Sequence, residues 1–202
     1  FAVTFANTVF LGFPVIEATY GADGIFIATI SNIPFNLMAY TVGYGAVRGG
    51  MKGLTLRKAL APPLVASFVA VLIFLSGVEI PEFVADCFGS MSGATIPMSM
   101  LIVGTSLGSV SLKGAAENWR VFVVVAIKLI VAPILVWLVT SLFVKDEMLL
   151  GVIVVLSSAP TAMIATIFAI EAGRDEGYAS ECVFIGTVLS AVTMPLMIWL
   201  LL

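Results

Sequence analysis

Continuous apolar runs of membrane length dominate this chain of 202 residues. A helix needs about 20 apolar residues to cross a bilayer, whereas a membrane β-strand needs about ten residues of alternating polarity. The runs here are long and show no such alternation, so the sequence predicts an all-α integral membrane protein. Seven membrane spans are predicted, at 1–20, 24–47, 59–77, 83–108, 119–143, 146–172 and 178–202.

The composition excludes several other classes of protein. Hydrophobic residues make up 61% of the chain and charged residues 10%, against about 45–50% and 25% in soluble domains. The net charge of −3 and the scattered basic residues give no nucleic-acid footprint. There is no histidine, and the two cysteines form no metal or redox motif. We therefore expect no catalytic residue, no metal and no cofactor.

The distribution of basic residues predicts the orientation in the membrane. The connection 48–58 carries Arg48, Lys52, Arg57 and Lys58, so the positive-inside rule makes it cytoplasmic. Counting spans outward from this loop places three further basic residues on the cytoplasmic side, Lys113, Arg120 and Arg174. Only Lys145 then lies outside. The prediction is a multi-pass protein of the cell membrane with its C-terminus outside.

Two of the predicted spans contain a proline near the middle, in small or polar surroundings. These are Pro14 in 1–20 and Pro160 in 146–172. A proline removes a backbone donor and clashes with the preceding turn, so each span should split into two half-helices. Freed backbone groups at membrane depth persist only in protein or at a cavity, and a pair of broken helices is typical of transporters. The alternative is that these prolines only kink helices that pack elsewhere.

The two broken spans occupy corresponding positions in an inverted repeat. Spans 1–20 and 24–47, and spans 146–172 and 178–202, lie five spans apart, so the pairs run in opposite directions. The second pair is preceded by three spans within 59–143, whereas nothing precedes the first. We therefore expect three helices upstream of Phe1, two helices of the first repeat in 1–47, and a complete second repeat in 59–202.

Five motifs in this order resemble the auxin efflux carrier family. They are NTVFLGFPV at 7–15, SNIPFN at 31–36, GATIPMSMLIVGTSLG at 93–108, SSAPTAMIATIFA at 157–169 and ASECVFIGTVLSAVTMPL at 179–196. The resemblance covers nearly the whole chain and implies ten helices in two inverted repeats of five, of which this chain would be helices four to ten. It also implies broken helices that cross at their prolines, transport of auxin or of organic acids such as malate and malonate, and a dimer.

The half-helices that would follow the prolines, 15–20 and 161–172, should bind an anion. A helix start presents free backbone donors and a partial positive charge. Small and hydroxyl side chains nearby would keep the crossing narrow and supply hydrogen bonds. The predicted substrate-binding residues there are Pro14, Pro160, Gly12, Ser157, Ser158 and Thr161.

Three asparagines are further candidates for binding the substrate. Asn7 lies about two turns before Pro14, while Asn32 and Asn36 share one helix face. An amide can donate to a carboxylate without bringing a charge into the membrane. The resemblance implies that polar residues of the fourth and fifth helices contact the substrate, which matches Asn7 and leaves Asn32 and Asn36 as alternatives. Pro34 between them is expected to bend this helix. Their other interpretation is hydrogen bonding between helices.

Lys128 is the basic residue predicted to lie inside a span, 119–143. An ionisable residue within the membrane is a functional hypothesis by default. It could attract the anion, stabilise the empty carrier, or extend its ammonium to the interface. Glu17 is the carboxylate nearest to Pro14 in the sequence and the candidate partner or proton carrier.

Three functional hypotheses remain open from the sequence. The first is a secondary carrier of a small organic anion that works by alternating access around the crossed helices. The second is a sodium-coupled carrier of the bile-acid symporter type, which has a similar broken-helix architecture. The third, an intramembrane enzyme or a receptor, finds little support because histidine and paired intramembrane carboxylates are absent.

Overall fold

A computed structural model of the chain describes residues 1–50, 62–78, 80–108 and 118–202. Within these ranges the fold is all-helical, as predicted. The helices are α1 Thr8–Arg48, α2 Pro62–Ser76, α3 Glu82–Gly108, α4 Trp119–Ser141, α5 Glu147–Ser158, α6 Ile164–Glu171 and α7 Glu176–Leu201. Most of the basic loop 48–58, and Lys113, lie outside the described residues.

Three helices in the described part of the chain are long and apolar enough to cross a membrane. They are α1, α4 and α7. α2 and α5 contain apolar stretches but are shorter, and α5 continues through an irregular segment into α6. The predicted class, a helical membrane protein, agrees with these lengths.

Large apolar side chains cover the outside of the helices. Phe74 in α2, Phe83 in α3 and Trp199 in α7 are 64%, 78% and 79% exposed. Soluble proteins rarely expose contiguous apolar surface on this scale. These side chains are placed for contact with lipid or with other membrane helices.

α1 consists of two helical segments, 8–20 and 22–48, that meet at Gly21. Gly21 has φ 63° and ψ −151°, a conformation that is essentially restricted to glycine. The predicted connection at 21–23 is therefore reduced to one residue. Gly24 completes the corner, because a Cβ at this position would lie 2.9 Å from Ile16 Cγ2 and would collide with Tyr20.

The predicted break at Pro14 is wrong, because the helix begins at Thr8 and continues through Pro14. Residues 5–7, which are not helical and lie between a single turn at 2–4 and the start of α1, are called the first break below. Pro14 lies within α1, directly after a π-helical turn at Thr8–Gly12. In that wider turn, the Gly12 N–H donates to the Asn7 carbonyl, five residues earlier. The hydrogen bonds of this turn are shifted by one residue before the proline. The helix therefore continues through Pro14, although the proline nitrogen cannot donate. The half-helix begins at Thr8 and not at residue 15.

The second break lies where it was predicted, around Pro160. α5 ends at Ser158, the chain becomes extended, and α6 begins at Ile164. The half-helix thus starts three residues later than the predicted 161. Pro34 does not interrupt α1, which remains helical through it and contains a second π-helical turn at Ala39–Gly43.

The two extended breaks cross and pair with each other as a short antiparallel bridge. Ala6 lies opposite Thr161. The Asn7 N–H donates to the Pro160 carbonyl at 2.7 Å, and the Ala162 N–H donates to the Phe5 carbonyl at 3.0 Å. Each break therefore supplies hydrogen-bond partners to backbone groups of the other, at positions where no helix supplies them.

α5 is the central helix around this crossing. It packs against α1, α4 and α7, and its Val152 and Val155 are fully buried together with Ile16 of α1. α4 and α7 form a second core, in which Val121, Val125 and Leu129 pack near Cys182. Both breaks are held inside this packed part of the structure.

The corner at Gly24 generates a stability prediction. Gly24→Ala should lower the apparent melting temperature of the purified protein, because the added methyl group meets Tyr20 and Ile16; we expect a cost of about 1–3 kcal/mol. Gly93→Ala in α3 is the matched control, since no described atom lies within 4 Å of its added Cβ. It should be neutral or stabilising by up to about 1 kcal/mol. Equal melting temperatures for the two variants would contradict the close packing at this corner.

Candidate functional site

A cavity of about 430 Å³ lies beside the crossing of the two breaks. Side chains of the first break, of α1, of α4 and of α5 all contribute to its wall. It is lined by Val3, Thr4, Ala6, Thr8, Ser31, Asn32, Phe35, Lys128, Ala132, Leu135, Val136, Ile153, Leu156 and Ser157. The wall is largely apolar, with a few polar side chains near the first break.

Lys128 is the one charged residue among the described residues that line this cavity. Its side chain is 2% exposed, and its Nζ donates to the Ser157 carbonyl at 3.1 Å. In this structure the ammonium is therefore buried and bonded within the protein. Lys128 lies in a π-helical turn, Ile127–Val131, that precedes Pro133.

Thr8 and Asn32 connect the start of α1 to its second segment. Thr8 Oγ1 donates to Asn32 Oδ1 at 2.9 Å, and both side chains are buried. Both also line the cavity. This bond orients the Asn32 amide and uses one of the two lone pairs of its Oδ1.

Two buried amide nitrogens have no hydrogen-bond partner among the described residues. They belong to Asn7, at the first break, and to Asn36, one turn beyond Asn32. Asn7 is 5% exposed, and neither residue is part of the described lining of the cavity. A buried unpaired donor is costly, so each is a candidate for a polar ligand or for a bound water.

Among the predicted residues near the second break, Thr161 and Pro160 bond across the crossing, whereas the Ser157 and Ser158 hydroxyls bond within α5. Thr161 Oγ1 donates to the Ala2 carbonyl at 2.9 Å, and Pro160 accepts from the Asn7 backbone. Ser158 is fully buried and donates to the Val154 carbonyl of its own helix. Ser157 does the same with its hydroxyl, and its backbone carbonyl receives Lys128.

Of the predicted residues, the described lining of the cavity contains Asn32, Ser157 and Lys128, and it does not contain the other eight, Asn7, Gly12, Pro14, Glu17, Asn36, Ser158, Pro160 and Thr161. Gly12 packs α1 against Leu156, since a Cβ there would lie 3.1 Å from Leu156 Cδ2. Pro14 lies within the helix and Glu17 is exposed. Lys128 bonds a carbonyl and not the Glu17 carboxylate, so the structure does not bring the two predicted charges together.

Ala6 and Thr8 are among the positions at the site that the sequence did not predict, together with the cavity-lining Thr4 and Ser31. The available signal was the pair Asn7–Thr8, because polar residues directly before an apolar helical run are typical of a helix start. That signal predicts a helix beginning near residue 8. Ala6 carries no chemical signal, and only its pairing with Thr161 reveals its place at the crossing.

Known proteins resemble this chain over most of its length. A family model described as Membrane transport protein matches residues 46–198. An uncharacterised transporter of Methanothermobacter thermautotrophicus is 29% identical over 199 residues, which cover 96% of this chain and 65% of that protein. An uncharacterised transporter of Methanocaldococcus jannaschii is 27% identical over 203 residues, with 97% and 65% covered. The chain thus spans 65% of the length of these relatives.

The different bonding of Asn32 and Asn7 generates a prediction about stability. Asn32→Ala removes the acceptor of Thr8 Oγ1 and leaves a buried hydroxyl unpaired, so it should cost about 1–3 kcal/mol and lower the melting temperature. Asn7→Ala removes a donor that has no partner in the described structure, and it should change the melting temperature little. Thermal unfolding in detergent, without added organic acid, measures both. A larger loss for Asn7→Ala would show that its amide has a structural role.

Proposed function

We propose that this chain, which belongs to the membrane transport protein family of auxin efflux carriers, carries a small organic anion across the cell membrane. The observation that supports this most is the crossing of two broken helices beside a cavity that contains a buried lysine. Broken helices that meet within a membrane protein are a recurrent construction of substrate sites in secondary transporters. Family membership supports transport over catalysis.

A carboxylate is the chemical group that this site fits best. The half-helices that begin at Thr8 and Ile164 direct their amino-terminal ends, which carry partial positive charge, toward the region of the crossing. An ammonium has three donors, and the Ser157 carbonyl uses one of those on Lys128. Because Lys128 lines the cavity, its remaining donors are proposed to bind the carboxylate. The apolar wall then contacts the body of the anion.

Asn7 and Asn36 are proposed to complete the polar contacts once the carrier moves. Their amide nitrogens are buried without partners in the described structure, and Asn7 belongs to the break itself. A rearrangement of the break would bring the Asn7 amide to the ligand. Asn32 is proposed to act with Thr8, through the bond between their side chains.

Alternating access is proposed to use an inverted repeat of two five-helix units. Its support is that two non-helical segments, one before α1 and one between α5 and α6, meet and pair in antiparallel orientation at Ala6 and Thr161. In this proposal the chain contributes seven spans, with 1–47 from the first unit and 59–202 from the second. The orientation is the predicted one, with 48–58 cytoplasmic and the C-terminus outside, and the carrier forms a homodimer.

Substitution of the two prolines tests the proposed function. Pro160→Ala restores a backbone donor in the second break and allows α5 to extend, which competes with the pairing to residues 5–7. Uptake of labelled malate, malonate or indole-3-acetate into proteoliposomes should fall by roughly tenfold or more, the effect of about 1.4 kcal/mol. Pro14→Ala is the matched control, because Pro14 lies within a continuous helix, and it should retain most of the uptake. Equal uptake by both variants would contradict a role for the crossing in transport.

The orientation is tested by thiol labelling. Cys87 in α3 is exposed, whereas Cys182 in α7 is buried, so Cys182→Ala should leave a protein with a single reporter. A membrane-impermeant maleimide applied to intact cells should modify Cys87 from the outside. Modification only after permeabilisation would reverse the proposed orientation.

A further inference from the structure

The end of α5 at the crossing leaves backbone carbonyls that need donors from outside the helix, and a positive charge is favourable there. α5 stops at Ser158, and the chain then extends into Pro160, which has no N–H to offer. The last carbonyls of a helix lack donors within the helix and carry its partial negative charge. In the membrane interior water cannot compensate for this reliably, so the protein must supply donors itself.

Lys128 supplies such a donor, with a positive charge, from a neighbouring helix. Its Nζ donates to the Ser157 carbonyl, and none of the described residues around the same cavity is a carboxylate. The ammonium is thus neutralised chiefly by the end of a half-helix. In transporters with broken helices, such helix ends and unwound carbonyls are the groups that coordinate sodium ions.

We propose that Lys128 occupies the position of a coupling cation, so that the carrier holds its broken helix with a built-in ammonium and needs no sodium ion there. This proposal rests on the proposed function, and it states which ion the carrier does not need at this position. Oxygen atoms suited to an alkali cation lie around the same cavity, on Thr4, Thr8, Ser31 and Asn32, in addition to the Ser157 carbonyl. Removal of the ammonium should therefore convert this place into a sodium site.

The test uses the purified full-length protein in detergent without any organic anion. Melting temperatures are compared in equal concentrations of sodium, potassium and choline chloride, for the wild type and for Lys128→Met. The wild type should melt at the same temperature in all three salts. Lys128→Met should melt lower in choline, and 100 mM sodium should raise its melting temperature by roughly 3–6 °C, as expected for a ligand that binds the folded state with a dissociation constant of about 10 mM.

Lys145→Met is the matched control, because Lys145 is exposed in the turn before α5 and its replacement changes the charge equally. It should show no preference among the three salts. Lys128→Arg keeps the positive charge and should also remain indifferent to sodium. If Lys128→Met cannot be purified in folded form, Lys128→Gln takes its place, since the amide retains a donor for Ser157.

Two results would overturn the proposal. One is a wild-type protein stabilised by sodium over choline, and the other is a neutral variant at position 128 that folds but gains no response to sodium. The measurement needs no transport, so these outcomes are separate from the fate of the proposed function. Failure of uptake assays with an intact sodium response would reject the organic anion and leave the role of Lys128 in place.

Discussion

The antiparallel pairing of residues 5–7 with residues 160–162 is the interaction on which the rest of this structure depends. Two helices are interrupted within an apolar protein, and lipid offers no hydrogen bonds to the exposed backbone groups. The exchange of bonds between Asn7 and Pro160, and between Ala162 and Phe5, supplies them. Close packing protects the pair, since at Gly186 of α7 a Cβ would already contact Pro160 at 3.6 Å.

The crossing also brings opposite helix ends together, and this sets the electrostatics of the site. The starts of the half-helices at Thr8 and Ile164 are partially positive, whereas the end of α5 at Ser158 is partially negative. If nothing balanced that negative end, it would repel the same anion that the starts attract. Lys128 binds there. With the end of α5 balanced, the partial positive charges of the two helix starts favour an anion near the cavity, as proposed. This electrostatic effect does not require one particular side chain to contact the anion.

Much of this arrangement can be predicted from the sequence, and the predictions that are wrong have identifiable physical reasons. Long apolar runs suffice for the class, and the segment around Pro160 breaks as its proline predicts. The predicted break at Pro14 is wrong because a π-helical turn accommodates the proline. Such a turn depends on tertiary packing and leaves no local sequence pattern. The bond from Lys128 to Ser157 joins residues 29 positions apart, a separation that no periodicity encodes. Glu17 is near Pro14 in the sequence, but its side chain is exposed on the helix.

The burial of Lys128 and the break that follows α5 compensate for each other. An ammonium in an apolar interior is strongly unfavourable unless it is paired or hydrogen-bonded. A helix that ends in the same interior leaves carbonyls without donors. Either feature alone would destabilise the fold, and together each supplies what the other lacks. The π-helical turn at Ile127–Val131 buries Lys128 beside Leu129, so the apolar core of α4 and α7 fixes the ammonium in position.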